Sequence, residues 1–80
     1  MTREEILVQV TNLLRDLLDN DSLNLTFETS AGEVDGWDSV THVSLLVAVQ
    51  QHFGVKFRTA ELEGLRNVGQ LVDLTHTRMS

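Results

Sequence analysis

Eighty residues suffice for one small domain that buries about 60% of its unfolded surface, with room for a core but hardly for an enclosed active site. A formal net charge of −6, with only six Lys and Arg, excludes the clustered cations that neutralise nucleic-acid phosphates and favours partners with basic patches. No cysteine is present, which excludes disulfides, a thiolate nucleophile and a Cys-based metal site, so any thiol chemistry has to come from an attached group.

The charge is unevenly spread. Through Asp38 there are nine acids against Arg3 and Arg15, a net −7, whereas from Ser39 onward three acids face four cations, a net +1. The longest apolar run, Leu45 to Val49, is far below the roughly 20 residues that span a bilayer, and the N-terminal MTREEILVQV has no basic region followed by an apolar block. A cytoplasmic chain without membrane contact is expected.

Thr2 followed by Glu5 forms a capping box, and behind it Ile6, Val10, Leu13 and Leu17 recur at helical spacing, widened by Leu7, Leu14 and Leu18. This predicts a first helix from Arg3 to Leu18, ended by Asp19-Asn20-Asp21-Ser22, whose side chains compete for the backbone. From Leu23 to Trp37 no helical period is sustained, yet Leu23, Leu25 and Phe27 alternate as if one side were pinned to a core. The reading is an ordered crossover between two helices; a lone strand is the rival, with no second strand to pair with.

Asp38 is placed to cap a second helix of about 15 residues, closed by a left-handed Gly54 with Val55 folding back on the last turn. Val40, Val43, Leu46, Val47 and Phe53 form its expected buried stripe, broadened by Leu45 and Val49. Thr59 opens a short third helix that ends at Gly64, with Leu62 and Leu65 inward; Asn67 with Gln70 then caps a fourth, whose apolar side is Val68, Leu71, Val72 and Leu74. The tail from Thr75 to Ser80 is expected to fray. These elements predict an all-α fold: one four-helix bundle over residues 1–80, with three long helices, a short third one and a long loop between the first two, monomeric.

Ser39 stands at the first position of the second helix. A phosphate ester there would lie beside unpaired amides and the positive end of the helix dipole, although serine is also simply common at helix starts. His42 shares the face of Ser39 and touches either a phosphate or partner, or only solvent. Trp37 is either a partner anchor or half of a hydrophobic staple with His42.

The string Gly36-Trp37-Asp38-Ser39-Val40, apolar residues at helical spacing, then Phe53-Gly54-Val55, resembles the acyl carrier protein family, whose attachment motif is commonly Asp-Ser-Leu. The resemblance runs over nearly the whole chain. It implies that Ser39 is esterified by 4'-phosphopantetheine, delivered from coenzyme A by a separate Mg-dependent phosphopantetheinyl transferase, with Asp38 helping to place the metal. It further implies that the terminal thiol carries acyl groups as thioesters to acyl-loading and acyl-processing enzymes, with Trp37, Val40, His42 and Val43 as partner-contact candidates and no resident metal. Carriers of fatty-acid synthesis usually line the second helix with acids, whereas here no acid occurs between Ser39 and Ala60, and Val40 replaces the usual Leu. A stand-alone carrier of polyketide, hybrid peptide or other specialised biosynthesis is therefore expected, and an unmodified four-helix interaction module is the alternative.

Catalysis by the chain itself is not expected. Ser39 and His42 on one helix lack an orienting third group and an oxyanion hole, and Gly-Trp-Asp-Ser-Val lacks the second glycine of a nucleophile elbow. Asp19 to Ser30 fails as a calcium loop, with Leu23, Asn24 and Ser30 at the fifth, sixth and last positions. Glu28, Glu33, Asp35 and Asp38 either collect divalent cations weakly near the attachment site or, the favoured reading, form a solvated surface that steers a basic transferase.

Overall fold

A computed structural model describes residues 1–79. Its helices are α1 (Arg3–Leu18), α2 (Ser39–Phe53), α3 (Thr59–Glu63) and α4 (Val68–Met79), and the crossover between α1 and α2 contains a short 3-10 turn at Ala31–Glu33. Among the described residues there is no strand, so Leu23 to Phe27 is a crossover.

The first helix starts as its sequence dictates: the Thr2 hydroxyl accepts from the Glu5 amide at 3.2 Å and the Glu5 carboxylate accepts from the Thr2 amide at 2.9 Å. It ends at Asp19, which takes the left-handed conformation with φ 50°, and the Asn20 side chain then accepts from the amide and hydroxyl of Ser22. The buried line is Ile6, Val10, Thr11 and Leu14, whereas Leu17, expected inward, is 41% exposed. Leucines at 13, 14, 17 and 18 make two faces apolar, and the neighbours on the Leu14 side select between them. Thr11 is tolerated there because its hydroxyl donates to the Leu7 carbonyl at 2.7 Å.

A larger correction concerns α2. Its buried residues are Leu45, Leu46 and Val49, while Val40, Val43 and Val47, placed by the periodicity in the buried stripe, are 75%, 60% and 47% exposed. The helix is apolar around much of its circumference, so spacing alone cannot say which side faces α1 and α4. The bulkier leucines fill the core, and three valines are left as an outer ridge. Gly54 closes the helix in the left-handed conformation, and the Val55 amide donates to Gln50 O at 3.0 Å.

The short α3 is capped by Arg58, whose amide donates to the Glu61 carboxylate at 2.8 Å, and Leu62 and Leu65 pack against the core as expected. At α4 the Asn67 side chain accepts from the Gln70 amide at 2.9 Å, but the Gln70 side-chain oxygen accepts from the Arg66 amide at 2.7 Å, one residue earlier than in a capping box. The expected fraying from Thr75 is overturned: helix α4 continues to Met79, and Ser80 lies outside the described residues. Thr75 is fully buried with its hydroxyl donating to Leu71 O at 2.8 Å, and Arg78 forms an ion pair with Glu61 that joins α3 to α4.

Helix α1 packs against both α2 and α4, and the crossover closes the remaining side, with Leu25 buried and Leu23 and Phe27 packed on the core. The closure is made by backbone. Val68 N donates to Thr29 O at 2.8 Å and Gly69 N donates to Phe27 O at 2.7 Å, which satisfies two amides that the first turn of α4 would otherwise leave unpaired. Position 69 has to be glycine for this approach, because a Cβ there would meet Phe27 O at 2.6 Å. Gly69→Ala is expected to cost about 1–3 kcal/mol in denaturant unfolding, as overpacking does. Gly32→Ala, with nothing within 4 Å of its Cβ, is the control and stays within about 0.5 kcal/mol.

Candidate functional site

Gly36 turns the chain with φ 85° and delivers Trp37 beneath the start of α2, where the indole is 7% exposed and belongs to the core. The expectation of Trp37 as a partner anchor is thereby corrected: a buried ring has no surface to offer. Its relation to His42 is a hydrogen bond, Trp37 Nε1 donating to His42 Nδ1 at 3.2 Å with ring centroids 5.9 Å apart. His42 is therefore half-buried and held, not a freely solvated side chain.

Asp38 caps α2. Its carboxylate accepts from the Thr41 amide at 2.9 Å, and its carbonyl accepts from the His42 amide at 2.8 Å. Ser39 is the first helical residue and is exposed, next to the positive end of the helix dipole. Val40 and Val43 are exposed beside it.

On the inner side of Ser39 lies a half-open cavity of about 350 Å³. Trp37, Asp38, Ser39 and His42 form one wall; Leu65, Arg66, Asn67, Val68 and Leu71 form the other. This second wall, from the α3–α4 junction, has no signal in the sequence around Ser39, and only the packing of α4 against the crossover brings it there. Among the described residues, Arg66 is the one Lys or Arg on the cavity wall.

Glu28, Glu33, Asp35 and Asp38 are all exposed, and Glu33 is engaged with the Ser30 amide and hydroxyl at 3.3 and 3.0 Å. Among the described residues no group of His, Asp and Glu side chains is arranged to hold a metal ion. Nor do Asp38, Ser39 and His42 form a triad, because the His42 Nδ1 faces an indole donor and the Asp38 carboxylate faces a backbone amide.

The Thr41 amide holds the Asp38 carboxyl below its ordinary value against the smaller opposing effect of desolvation. A carboxylate depressed in the folded state adds stability that is complete above its unfolded value of about 4 and is lost as pH falls through the folded value. Asp38→Asn keeps a capping oxygen but not the charge, so at pH 7 its melting temperature should lie at or slightly below that of the wild type. Below about pH 4 it should fall less steeply with acidification than that of the wild type, and parallel acid slopes would contradict the assignment.

A sequence model for the family described as "Phosphopantetheine attachment site" matches residues 8–75. Acyl carrier proteins from Thermotoga maritima and Saccharopolyspora erythraea are each 31% identical to the chain, the first over 98% of this chain and 96% of its own length, the second over 94% and 79%. The solution structure of the holo acyl carrier protein from Geobacter metallireducens superposes with a TM-score of 0.85 at 42% identity, covering 92% of this chain and 85% of that one. Such proteins are carriers and not catalysts, and the prosthetic group they hold is phosphopantetheine. With two thirds and more of its length matched in each comparison, and the same helical bundle beneath the match, the chain belongs to the acyl carrier protein family.

Proposed function

We propose that Ser39 is the attachment point of 4'-phosphopantetheine and that the chain delivers thioester-bound acyl groups to successive enzymes of a polyketide, hybrid peptide or other specialised biosynthesis in the cytoplasm. The observation that carries the assignment is an exposed hydroxyl at the first position of α2, flanked by the helix dipole and by a cavity of about 350 Å³. A phosphodiester fits there: its charge meets the positive helix end, and the cavity leaves room for the pantetheine arm. The attached group supplies the thiol that this cysteine-free chain lacks.

The chain's own residues hold and present. Ser39 offers the hydroxyl, the cap made by Asp38 sets the direction in which α2 begins, and the neighbouring carboxylate is placed to help seat Mg during transfer. The acidic crossover attracts a basic transferase at long range. Acyl-processing enzymes meet a different surface, the ridge of Val40, Val43 and Val47, on a helix with no acid from Ser39 to Ala60. This absence supports a specialised pathway, because docking on such a face depends on apolar contact and not on acids along α2.

Incubation with coenzyme A, Mg and a broad-specificity transferase is expected to add the mass of one phosphopantetheine to the wild type and nothing to Ser39→Ala. No gain on the wild type would reject the carrier reading in favour of an unmodified interaction module, and a gain surviving in Ser39→Ala would relocate the site. Val43→Asp is expected to change stability by less than about 0.5 kcal/mol while raising KM several-fold for the loading enzyme of its own host. That KM should be nearly independent of salt in the wild type; a steep salt dependence with no effect of Val43→Asp would refute apolar docking.

A further inference from the structure

Trp37 and His42 bracket Ser39 in the chain and meet through Nε1 and Nδ1 at 3.2 Å. An indole N–H can only donate, so Nδ1 must present its lone pair, and the neutral imidazole then keeps its proton on Nε2. Trp37 is 7% exposed and packed in the core, so the partner that selects this tautomer cannot swing away. His42 is three residues past Ser39, on the same side of α2, and both line the cavity of about 350 Å³. Among the described residues, the Asp and Arg side chains lining the cavity are Asp38, on the wall of Ser39, and Arg66, on the wall opposite, and the Asp38 carboxylate is already bonded to the Thr41 amide. An N–H donor of fixed tautomer is thus held at the cavity wall beside the hydroxyl.

We propose that His42 is a positioning residue for the prosthetic arm: Nε2–H donates to a non-bridging oxygen of the phosphodiester on Ser39 and directs the arm along the cavity, with Trp37 setting the tautomer that makes this possible. The proposal rests on Ser39 being the attachment point. It assigns to the Trp37–His42 pair a role that capping and core packing do not require, since a staple needs only apolar contact.

The test uses holo protein whose loading at Ser39 is confirmed by intact mass, studied at mildly alkaline pH. Long-range proton–nitrogen spectra of the imidazole should show Nδ1 bare and Nε2 protonated, with the Nε2–H resonance moving downfield on loading. The phosphorus-31 resonance of His42→Phe should shift toward that of a short peptide carrying phosphopantetheine on serine. His42→Gln, which can both accept from the indole and donate to the phosphate, should restore the wild-type position. Trp37→Phe should release the tautomer and move the phosphorus resonance part of the way, and His52→Phe, on the same helix but bonded to Gln9, should leave it unchanged. An unchanged phosphorus resonance in fully loaded His42→Phe would overturn the proposal, as would an imidazole protonated at Nδ1. A shift seen in Arg66→Gln but not in His42→Phe would give the phosphate to the guanidinium and equally overturn it. Failure of the wild type to gain mass would remove the Ser39 assignment, and this contact with it.

Discussion

The amides of Val68 and Gly69 donate to the carbonyls of Thr29 and Phe27, and these two bonds tie the crossover that leads to Ser39 to the first turn of α4. A long loop in a small domain has to be held by something, since each ordered residue costs on the order of 1–2 kcal/mol of backbone entropy. Here the loop satisfies the first turn of α4, which in return fixes the loop. Leu23, Leu25 and Phe27 then seal the open side of the core, Arg3 stacks over the Phe27 ring at 4.5 Å and pairs with Asp73, and Trp37 is drawn beneath α2. The α3–α4 junction that this brings up is the far wall of the cavity.

Two surfaces of opposite character result. The crossover carries exposed acids whose field reaches about 8 Å at physiological ionic strength, the range over which the proposed steering of a basic transferase would act. The outer side of α2 carries Val40, Val43 and Val47, which act only on contact. Ser39 lies where the two meet. Under the function proposed above, recognition by the modifying enzyme would be sensitive to salt and recognition by the enzymes that use the carrier sensitive to shape.

Much of the fold is legible in local chemistry. Thr2 and Glu5, Asp38 and Gly54 mark helix ends because each satisfies, within a few residues, backbone groups that a helix leaves unpaired. Local pattern misleads where two answers are equally good. Leu13 and Leu14, or Val47 and Leu46, are equally apolar, and only the neighbouring helices decide which is inside. Thr75 has the composition of a polar tail around it, yet it is buried because its hydroxyl returns to the helix backbone and Arg78 reaches Glu61. Trp37 does lie beside His42, but the bond joining them is polar.

By itself the sequence determined the four helices, the caps of α1 and α2, the position of Ser39 at the start of α2 and the absence of any thiol, because all of these depend on residues within a turn of one another or on composition. Tertiary structure alone decided which side of α2 faces outward, that Trp37 is core and not surface, and that Arg66 and Leu71 stand across a cavity from Ser39. Those features depend on which apolar faces bury each other and on two backbone hydrogen bonds between segments some forty residues apart, and no local pattern encodes either.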